Sequence, residues 1–283
     1  MFQSDVLSGQ TILVTGGGTG LGRAMVDRFA DLGAAVAILG RREEPLRDTV
    51  EGIQNRGGRA AWASADVREP QQVDDAVAGF EDALGPLTGL VNNAAGNFLA
   101  PSENLTPNAF DTVVRIVLHG THNSTQAVAR RWIERGQEGG HILSIVTTYA
   151  WMGSAFVLPS ACAKAGVLAM TRSLAVEWGT YGIRSNAIAP GPFPTEGAFS
   201  RLMPPGFEEQ AKRANPLGRF GEPPELADLA VYLFSPMAGY ITGEVVTIDG
   251  GEWLKNGQEF SKFTDYPRDQ LKAQLASMKP KKG

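Results

Sequence analysis

A chain of 283 residues, 43 % of them hydrophobic and 34 of them glycine, is long enough for one large α/β domain with a sizeable core and many tight strand–helix turns. With 26 basic against 30 acidic side chains the net charge is −4, which argues against a general nucleic-acid binder and leaves room for a local basic pocket for a phosphorylated small molecule. One cysteine, Cys162, excludes an internal disulfide framework and fits a reducing compartment. The N-terminal MFQSDVLSGQ lacks a basic start and a long apolar core, and no apolar run reaches the roughly 20 residues that span a bilayer. A soluble, cytoplasmic protein is therefore expected. The three histidines show no metal-ligand spacing, and no metal is expected.

Residues 11–15 (TILVT) read as a short, doubly buried strand, followed by a glycine-rich joint and a helix over Arg23–Leu32, where Met25, Phe29 and Leu32 mark one face. Gly33 caps that helix, and the next strand is Ala35–Leu39. The pattern then alternates: helix Glu43–Arg56, strand Ala60–Ala65, helix Pro70–Leu84, strand Leu87–Val91, a long helix Pro107–Arg135 and strand His141–Val146. A second long helix over Pro159–Trp178, strand Ile183–Ala189, a proline-rich segment 192–221, helix Pro223–Phe234 and strand Val245–Ile248 complete it. Such alternation implies a doubly wound parallel sheet of about seven strands with helices on both faces. One domain is expected over residues 1–255, with a C-terminal extension over 256–283 whose lysine-rich part, from Lys272, frays.

The segment Gly16-x-x-x-Gly20-x-Gly22 joins the first strand directly to a helix. Glycines there allow positive φ and let the backbone approach a pyrophosphate, whose charge then meets the helix N-terminus. Gly16, Gly18, Thr19, Gly20 and Leu21 are expected at a bound dinucleotide; a glycine-rich turn without a ligand is the plainer alternative. The second strand ends Leu39-Gly40-Arg41-Arg42, with no acid to accept two ribose hydroxyls and two guanidiniums suited to a 2′-phosphate, which favours NADPH over NADH. Asp66 and Val67 follow the third strand, where a carboxylate can accept from the adenine amine or simply cap a turn. Asn93, Ala94 and Ala95 stand at the carboxyl end of the fourth strand, where open α/β sheets bind ligands.

Residues 144–164 (SIVTTYAWMGSAFVLPSACAK) begin as a buried strand, leave it at Tyr149 and re-enter regular structure near Pro159. Ser160 and Lys164 lie one helical turn apart and face the same way. No His–Asp pair lies nearby in sequence to activate Ser160, so it is expected to orient by hydrogen bonding and not to attack. Cys162, between Ala161 and Ala163, is expected to be a small packed residue.

TGGGTGLG (15–22), NNAAG (92–96), the helix bearing Lys164 and Pro190-Gly191-Pro192, in that order, resemble the short-chain dehydrogenase/reductase family over about residues 8–255. That family has a Tyr four residues before the Lys; here the position is Ser160, and the slot of the family's helix Asn is Val117. Inside this match, NNAAGNF (92–98), PSACAKAGV (159–167), PGP (190–192) and GAFSRL (197–202) look like the mitochondrial-type 2,4-dienoyl-CoA reductase branch. That branch also carries Ser at the position and takes its Tyr from the end of strand five, as Tyr149 is placed here. The resemblance implies a Rossmann-type fold and a catalytic group of Tyr149, Asn97, Ser160 and Lys164. It also implies cofactor contacts at Lys164, Pro190, Gly191, Pro192 and Phe193, and acyl-CoA contacts at Arg68, Phe98, Thr106 and Arg201. Glu196 stands where the branch tends to have Lys, and His119 where Asn is expected.

The implied activity is NADPH-dependent reduction of 2,4-dienoyl-CoA thioesters to 3-enoyl-CoA in unsaturated fatty-acid β-oxidation. By the same analogy the two long helices pair subunits into a homotetramer. Residues 193–220 are expected as a substrate lid, with Phe193, Phe199, Met203 and Phe207 enclosing an acyl chain or filling a subunit interface. Two rivals stay open: a reductase of another enoyl or 3-oxoacyl thioester, and a non-catalytic NADPH-binding protein.

Overall fold

The structure, a computed structural model, describes residues 2–195 and 206–277, so the expectations at Glu196, Phe199, Arg201 and Met203 lie outside the described residues. Its strands are β1 (Thr11–Thr15), β2 (Ala35–Gly40), β3 (Ala60–Ser64), β4 (Gly89–Asn92), β5 (Gly140–Ile145), β6 (Ile183–Pro190) and β7 (Val245–Ile248). All neighbours pair in parallel, in the order β3-β2-β1-β4-β5-β6-β7. The helices are α1 (Gly20–Asp31), α2 (Glu43–Asn55), α3 (Pro70–Leu84), α4 (Pro107–Val114), α5 (Gly120–Glu134), α6 (Tyr149–Met152), α7 (Leu158–Glu177), α8 (Glu208–Ala214), α9 (Pro223–Phe234), α10 (Glu252–Gly257) and α11 (Arg268–Ser277).

Strand side chains alternate between two cores, as a period of two requires. Ile12, Val14, Val36 and Ile38 face one cluster with Met25 and Phe29 of α1 and Leu226 and Phe234 of α9. Leu13, Ala35, Ala37 and Leu39 face the other, with Val73 and Phe80 of α3 and Val128 and Trp132 of α5. A third, smaller cluster joins Val113, Val117, Val146, Ala163 and Val167, beneath the mouth where β5 ends. The chain reverses its direction of sheet growth between β1 and β4, and at such a switch point the strand ends part to leave a crevice.

Three expectations are corrected. The helix over Pro107–Arg135 is not one regular α-helix: residues Arg115–His119 form a π turn between α4 and α5. Around it the packing is close, since a Cβ on Gly120 would lie 2.6 Å from Val67 Cγ2, and the Thr121 hydroxyl donates to the Val117 carbonyl at 2.6 Å. Of the tail expected to fray, residues 272–277 are helical as the end of α11, and 278–283 lie outside the described residues. Cys162 is exposed on α7 and is not packed. Among the described residues no helix is long and apolar enough to cross a membrane.

Candidate active site

The crevice at the switch point is built by close backbone approach. Gly16 (φ +68°) and Gly20 (φ +57°) adopt left-handed backbone that L side chains avoid. A Cβ on Gly22 would sit 2.3 Å from the Gly16 carbonyl oxygen, so the loop folds back on its own helix only with glycine there. Gly18 lies against the backbone of Pro45 and Leu46, Thr19 is exposed at the N-terminus of α1, and Leu21 packs on the core beneath. The result is an open cradle of backbone at a helix N-terminus, which fits a dinucleotide pyrophosphate.

Arg41 and Arg42 emerge exposed from β2, and no acid replaces them at the strand end. Asp66 and Arg68, expected at different ends of the site, are paired with each other: Arg68 Nη2 donates to Asp66 Oδ2 at 2.6 Å, and Nε donates to both carboxylate oxygens at 3.0 Å. The Arg68 guanidinium thereby holds the Asp66 carboxyl below its ordinary range, with a smaller contribution from Arg41. Val67 is buried, and its carbonyl accepts from Asn123.

Asn93 serves the loop itself. Its Nδ2 donates to the carbonyls of Thr15 (3.0 Å) and Gly16 (3.2 Å), while Thr15 Oγ1 accepts from the N–H groups of Asn93 and Ala94, both at 3.0 Å. This clip between the ends of β1 and β4 fixes the glycine loop, and Ala95 lies exposed beyond it. Across the crevice, Pro190 ends β6, Gly191 N–H donates to Ile248, and a Cβ on Gly191 would lie 2.7 Å from Asp249 Cβ. Pro192 accepts from Gly221 N–H. Phe193 departs from its expected place: its ring is buried in the core against Gly221, because Gly221 offers a gap that any side chain would fill. Phe207 is exposed.

The catalytic candidates converge although they are far apart in sequence. Tyr149 opens the single-turn helix α6 just past β5, which turns its phenol toward α7. The Tyr149 hydroxyl lies 3.1 Å from Ser160 Oγ, and Asn97 Nδ2 donates to it at 3.2 Å. Asn97 is itself oriented, its Oδ1 accepting from Phe98 N–H at 2.9 Å. Ser160 is buried on α7, and its small side chain leaves the space in which the Tyr149 hydroxyl sits. Lys164, one turn on, is 7 % exposed, and its Nζ donates to the Ile145 carbonyl at the end of β5. Burial pushes its ammonium down to about 8.

The remaining substrate candidates are placed differently. The Phe98 ring packs on the third core cluster. Thr106 is the N-cap of α4, its Oγ1 accepting from Ala109 N–H at 3.2 Å, and His119 is exposed at the end of the π turn. Two residues were not legible beforehand. Thr15 heads the TGGGTGLG run, but its role as a clip is visible only in space: its hydroxyl donates to the Val91 carbonyl at 3.4 Å and accepts from the N–H groups of Asn93 and Ala94. Thr195 brings its side chain against Gly20, where a Cβ would lie 3.5 Å from Thr195 Oγ1, placing a hydroxyl at the mouth of the cradle.

Known proteins share this fold. Residues 8–252 match the family model described as enoyl-(acyl carrier protein) reductase. The chain is 47 % identical over 251 residues to a Bacillus subtilis protein named probable 2,4-dienoyl-CoA reductase [(2E)-enoyl-CoA-producing], covering 87 % of this chain and 97 % of that one. It is 42 % identical to a Caenorhabditis elegans protein named probable 2,4-dienoyl-CoA reductase 3 [(3E)-enoyl-CoA-producing], covering 89 % and 83 %. Among solved structures, a Burkholderia cenocepacia gluconate 5-dehydrogenase in complex with NADP and tartrate is 32 % identical with a TM-score of 0.82, covering 88 % and 98 %. The glycine cradle, the seven-stranded parallel sheet and these likenesses together place the chain in the enoyl reductase family of short-chain dehydrogenases/reductases, to which it belongs.

Proposed function

We propose that this chain is an NADPH-dependent 2,4-dienoyl-CoA reductase acting in unsaturated fatty-acid oxidation. The observation that carries this is the meeting of Asn97 and Ser160 at the hydroxyl of Tyr149, with Lys164 buried one turn along the same helix. The glycine cradle would hold the pyrophosphate, Arg41 and Arg42 the 2′-phosphate, and Lys164 the ribose hydroxyls. Bound there, NADPH supplies a hydride to the far end of the conjugated system.

Negative charge then develops on the thioester oxygen, and this chain's part is to meet it. Tyr149 Oη accepts from Asn97 Nδ2; with Ser160 donating to it as well, the phenol proton is free to point outward. Asn97 keeps a second N–H for the same oxygen. A single donor of this kind is worth roughly 3 kcal/mol, about a hundredfold in rate. Lys164, while charged, favours negative charge nearby. Addition of a proton at the α-carbon then leaves a 3,4 double bond. The donors gather at the thioester oxygen, next to that carbon, and this favours the 3-enoyl product. The name of the Bacillus subtilis relative favours a second outcome, protonation at C4 to leave a 2,3 double bond.

The assay is NADPH oxidation with a trans-2,trans-4-dienoyl-CoA in D2O, beside NADH and a β-ketoacyl-CoA. Turnover with NADPH and dienoyl-CoA, with deuterium at C2, is expected. Deuterium at C4 would establish the 2-enoyl product, turnover only on the β-ketoacyl thioester a different reductase, and NADPH binding without any oxidation a non-catalytic protein.

For assembly, a homotetramer is proposed. It is supported by large apolar side chains left outside, such as Val176 on α7 at 81 % exposure and the wholly exposed Tyr240. Light scattering on the eluting protein tests it. The lone thiol, exposed on α7, fits a reducing compartment, and the cytoplasm is the proposed location.

A further inference from the structure

Phe156 is the one non-glycine residue among those described with positive φ, at +66°. For a bulky L residue this backbone is an outlier that persists only when its surroundings impose it. Burial of the ring is not what imposes it, because Phe156 is 57 % exposed. What the conformation achieves lies in the main chain: the Phe156 carbonyl accepts from Ala100 N–H at 2.9 Å.

That bond joins the loop that carries Asn97 to the loop connecting α6, which opens with Tyr149, and α7, which bears Ser160. Ala100 lies three residues after Asn97, while Phe156 lies seven after Tyr149 and four before Ser160. The loop carrying Phe156 starts at Gly153, itself left-handed at φ +72° with its N–H on the Tyr149 carbonyl, and ends at buried Val157 on the threshold of α7. The Asn97 loop, residues 93–101, contains no helix or strand to set its height above the sheet. The Asn93 clip and the Phe98 ring on the third core cluster hold its first part, and the main-chain tie to the 153–157 loop holds its far end; the Asn97 Nδ2 to Tyr149 Oη bond of 3.2 Å lies between Asn93 and that tie.

We infer that the left-handed backbone of Phe156 is a positioning device: it ties the Asn97 loop to the Tyr149–Ser160 loop so that the two donors meet. The phenyl ring is incidental to this role. The inference rests on Asn97 and Tyr149 being the donors of the reaction proposed above.

Substitutions separate backbone from side chain. Phe156→Gly and Phe156→Asn accept left-handed φ, whereas Phe156→Val, β-branched, resists it. In the NADPH-dependent dienoyl-CoA assay, Gly and Asn should keep kcat within about threefold of wild type, and Val should lose about tenfold, matching a strain of the size such a backbone carries. KM for dienoyl-CoA and the Kd for NADPH, followed by fluorescence, should be unchanged in all three; an unchanged NADPH Kd also shows that each variant is folded. If Gly and Asn lose as much kcat as Val, or Val loses nothing, the positioning role is wrong. A raised KM with normal kcat in all three would make the ring a substrate contact instead. Tyr149→Phe, measured alongside, separates the failures. A normal rate in that variant removes the donor assignment itself, whereas a lost rate with Gly and Val alike removes only the role of Phe156.

Discussion

The two halves of the site are held in opposite ways. The cofactor half is fixed by main chain packed on main chain: Gly22 lies where a Cβ would meet the Gly16 carbonyl at 2.3 Å, and Asn93 binds the carbonyls of Thr15 and Gly16. Its parts hang on β1 and β4, which are paired neighbours in the sheet. The catalytic half is fixed by side chains that meet at one oxygen, brought from residues 97, 149 and 160 on one loop and two helices. The first arrangement tolerates no added atom, and the second no removed one. Damage to the two should therefore separate cleanly in binding and in rate.

The largest expected effect is on the catalytic side. Tyr149→Phe deletes one hydroxyl and both of its hydrogen bonds, and kcat should fall about a hundredfold or more with the NADPH Kd unchanged. Single-turnover NADPH oxidation checks it, and a fall in NADPH affinity of similar size would show that the halves are not independent. Gly22→Ala is the converse. The added methyl meets a carbonyl oxygen and Asn93 Nδ2 and not a flexible chain end, so the loop must shift. A cost of about 1–3 kcal/mol should appear as roughly ten- to hundredfold weaker NADPH binding by fluorescence titration.

This division also explains what the sequence reveals. The cofactor half is local: a strand, a glycine spacing and a helix start stand in sequence as they stand in space, so Gly16 to Gly22 can be read directly. Tyr149 and Lys164 were legible only through likeness to a family branch, because nothing in spacing says that a phenol fifteen residues before a lysine will reach a serine on the lysine's helix. The Asp66–Arg68 pair is not legible in the sequence, because each residue alone suits a separate ligand, while two residues apart in a turn they pair with each other. The buried Phe193 ring was missed because the gap over Gly221 exists only once β6 and the segment before α9 are brought together. The left-handed Phe156 has no sequence signal at all, since φ > 0 announces itself only where glycine or asparagine stands.

Within the cofactor half, the exposed arginines are a smaller lever. Replacing Arg41 and Arg42 together by alanine should weaken NADPH about tenfold and leave NADH nearly unchanged, which the ratio of the two Kd values reads. If NADH weakens equally, the arginines serve the general shape of the strand exit and not the 2′-phosphate. Lys164 lies where the halves join, and pH sharpens its role. Burial lowers its ammonium to about 8, so in the free enzyme its charge is present below that pH and lost above it. kcat/KM for NADPH should decline as pH rises through about 8, and Lys164→Met should remove the decline. Folding stability moves the other way, rising between about 8 and the ordinary 10.5 because the unfolded chain then binds more protons.

The smallest expected effect lies away from both halves, at the opposite end of the sheet, and tests whether stability can be altered without touching either. His141, on β5, is 4 % exposed, with Nε2 3.2 Å from Asn186 Nδ2. The Asn186 amide is already oriented, donating to the Ile241 carbonyl and accepting from Glu244 N–H, so Nε2 must be the acceptor and the ring is neutral. Burial first, and Arg184 second, hold it well below the ordinary 6.5. Protonation would turn two donors toward each other in the core. The unfolded chain takes up this proton below about pH 6.5 and the native state does not, so stability falls as pH drops, by up to about 1.4 kcal/mol per unit from this group alone. Urea midpoints at pH 8, 6.5 and 5.5 should show that loss, and His141→Gln, which cannot titrate, should flatten it, while kcat at pH 8 stays within about twofold of wild type in that variant. An equal slope in both proteins would mean that His141 is protonated in the native state, and that the Asn186 amide has turned to receive it.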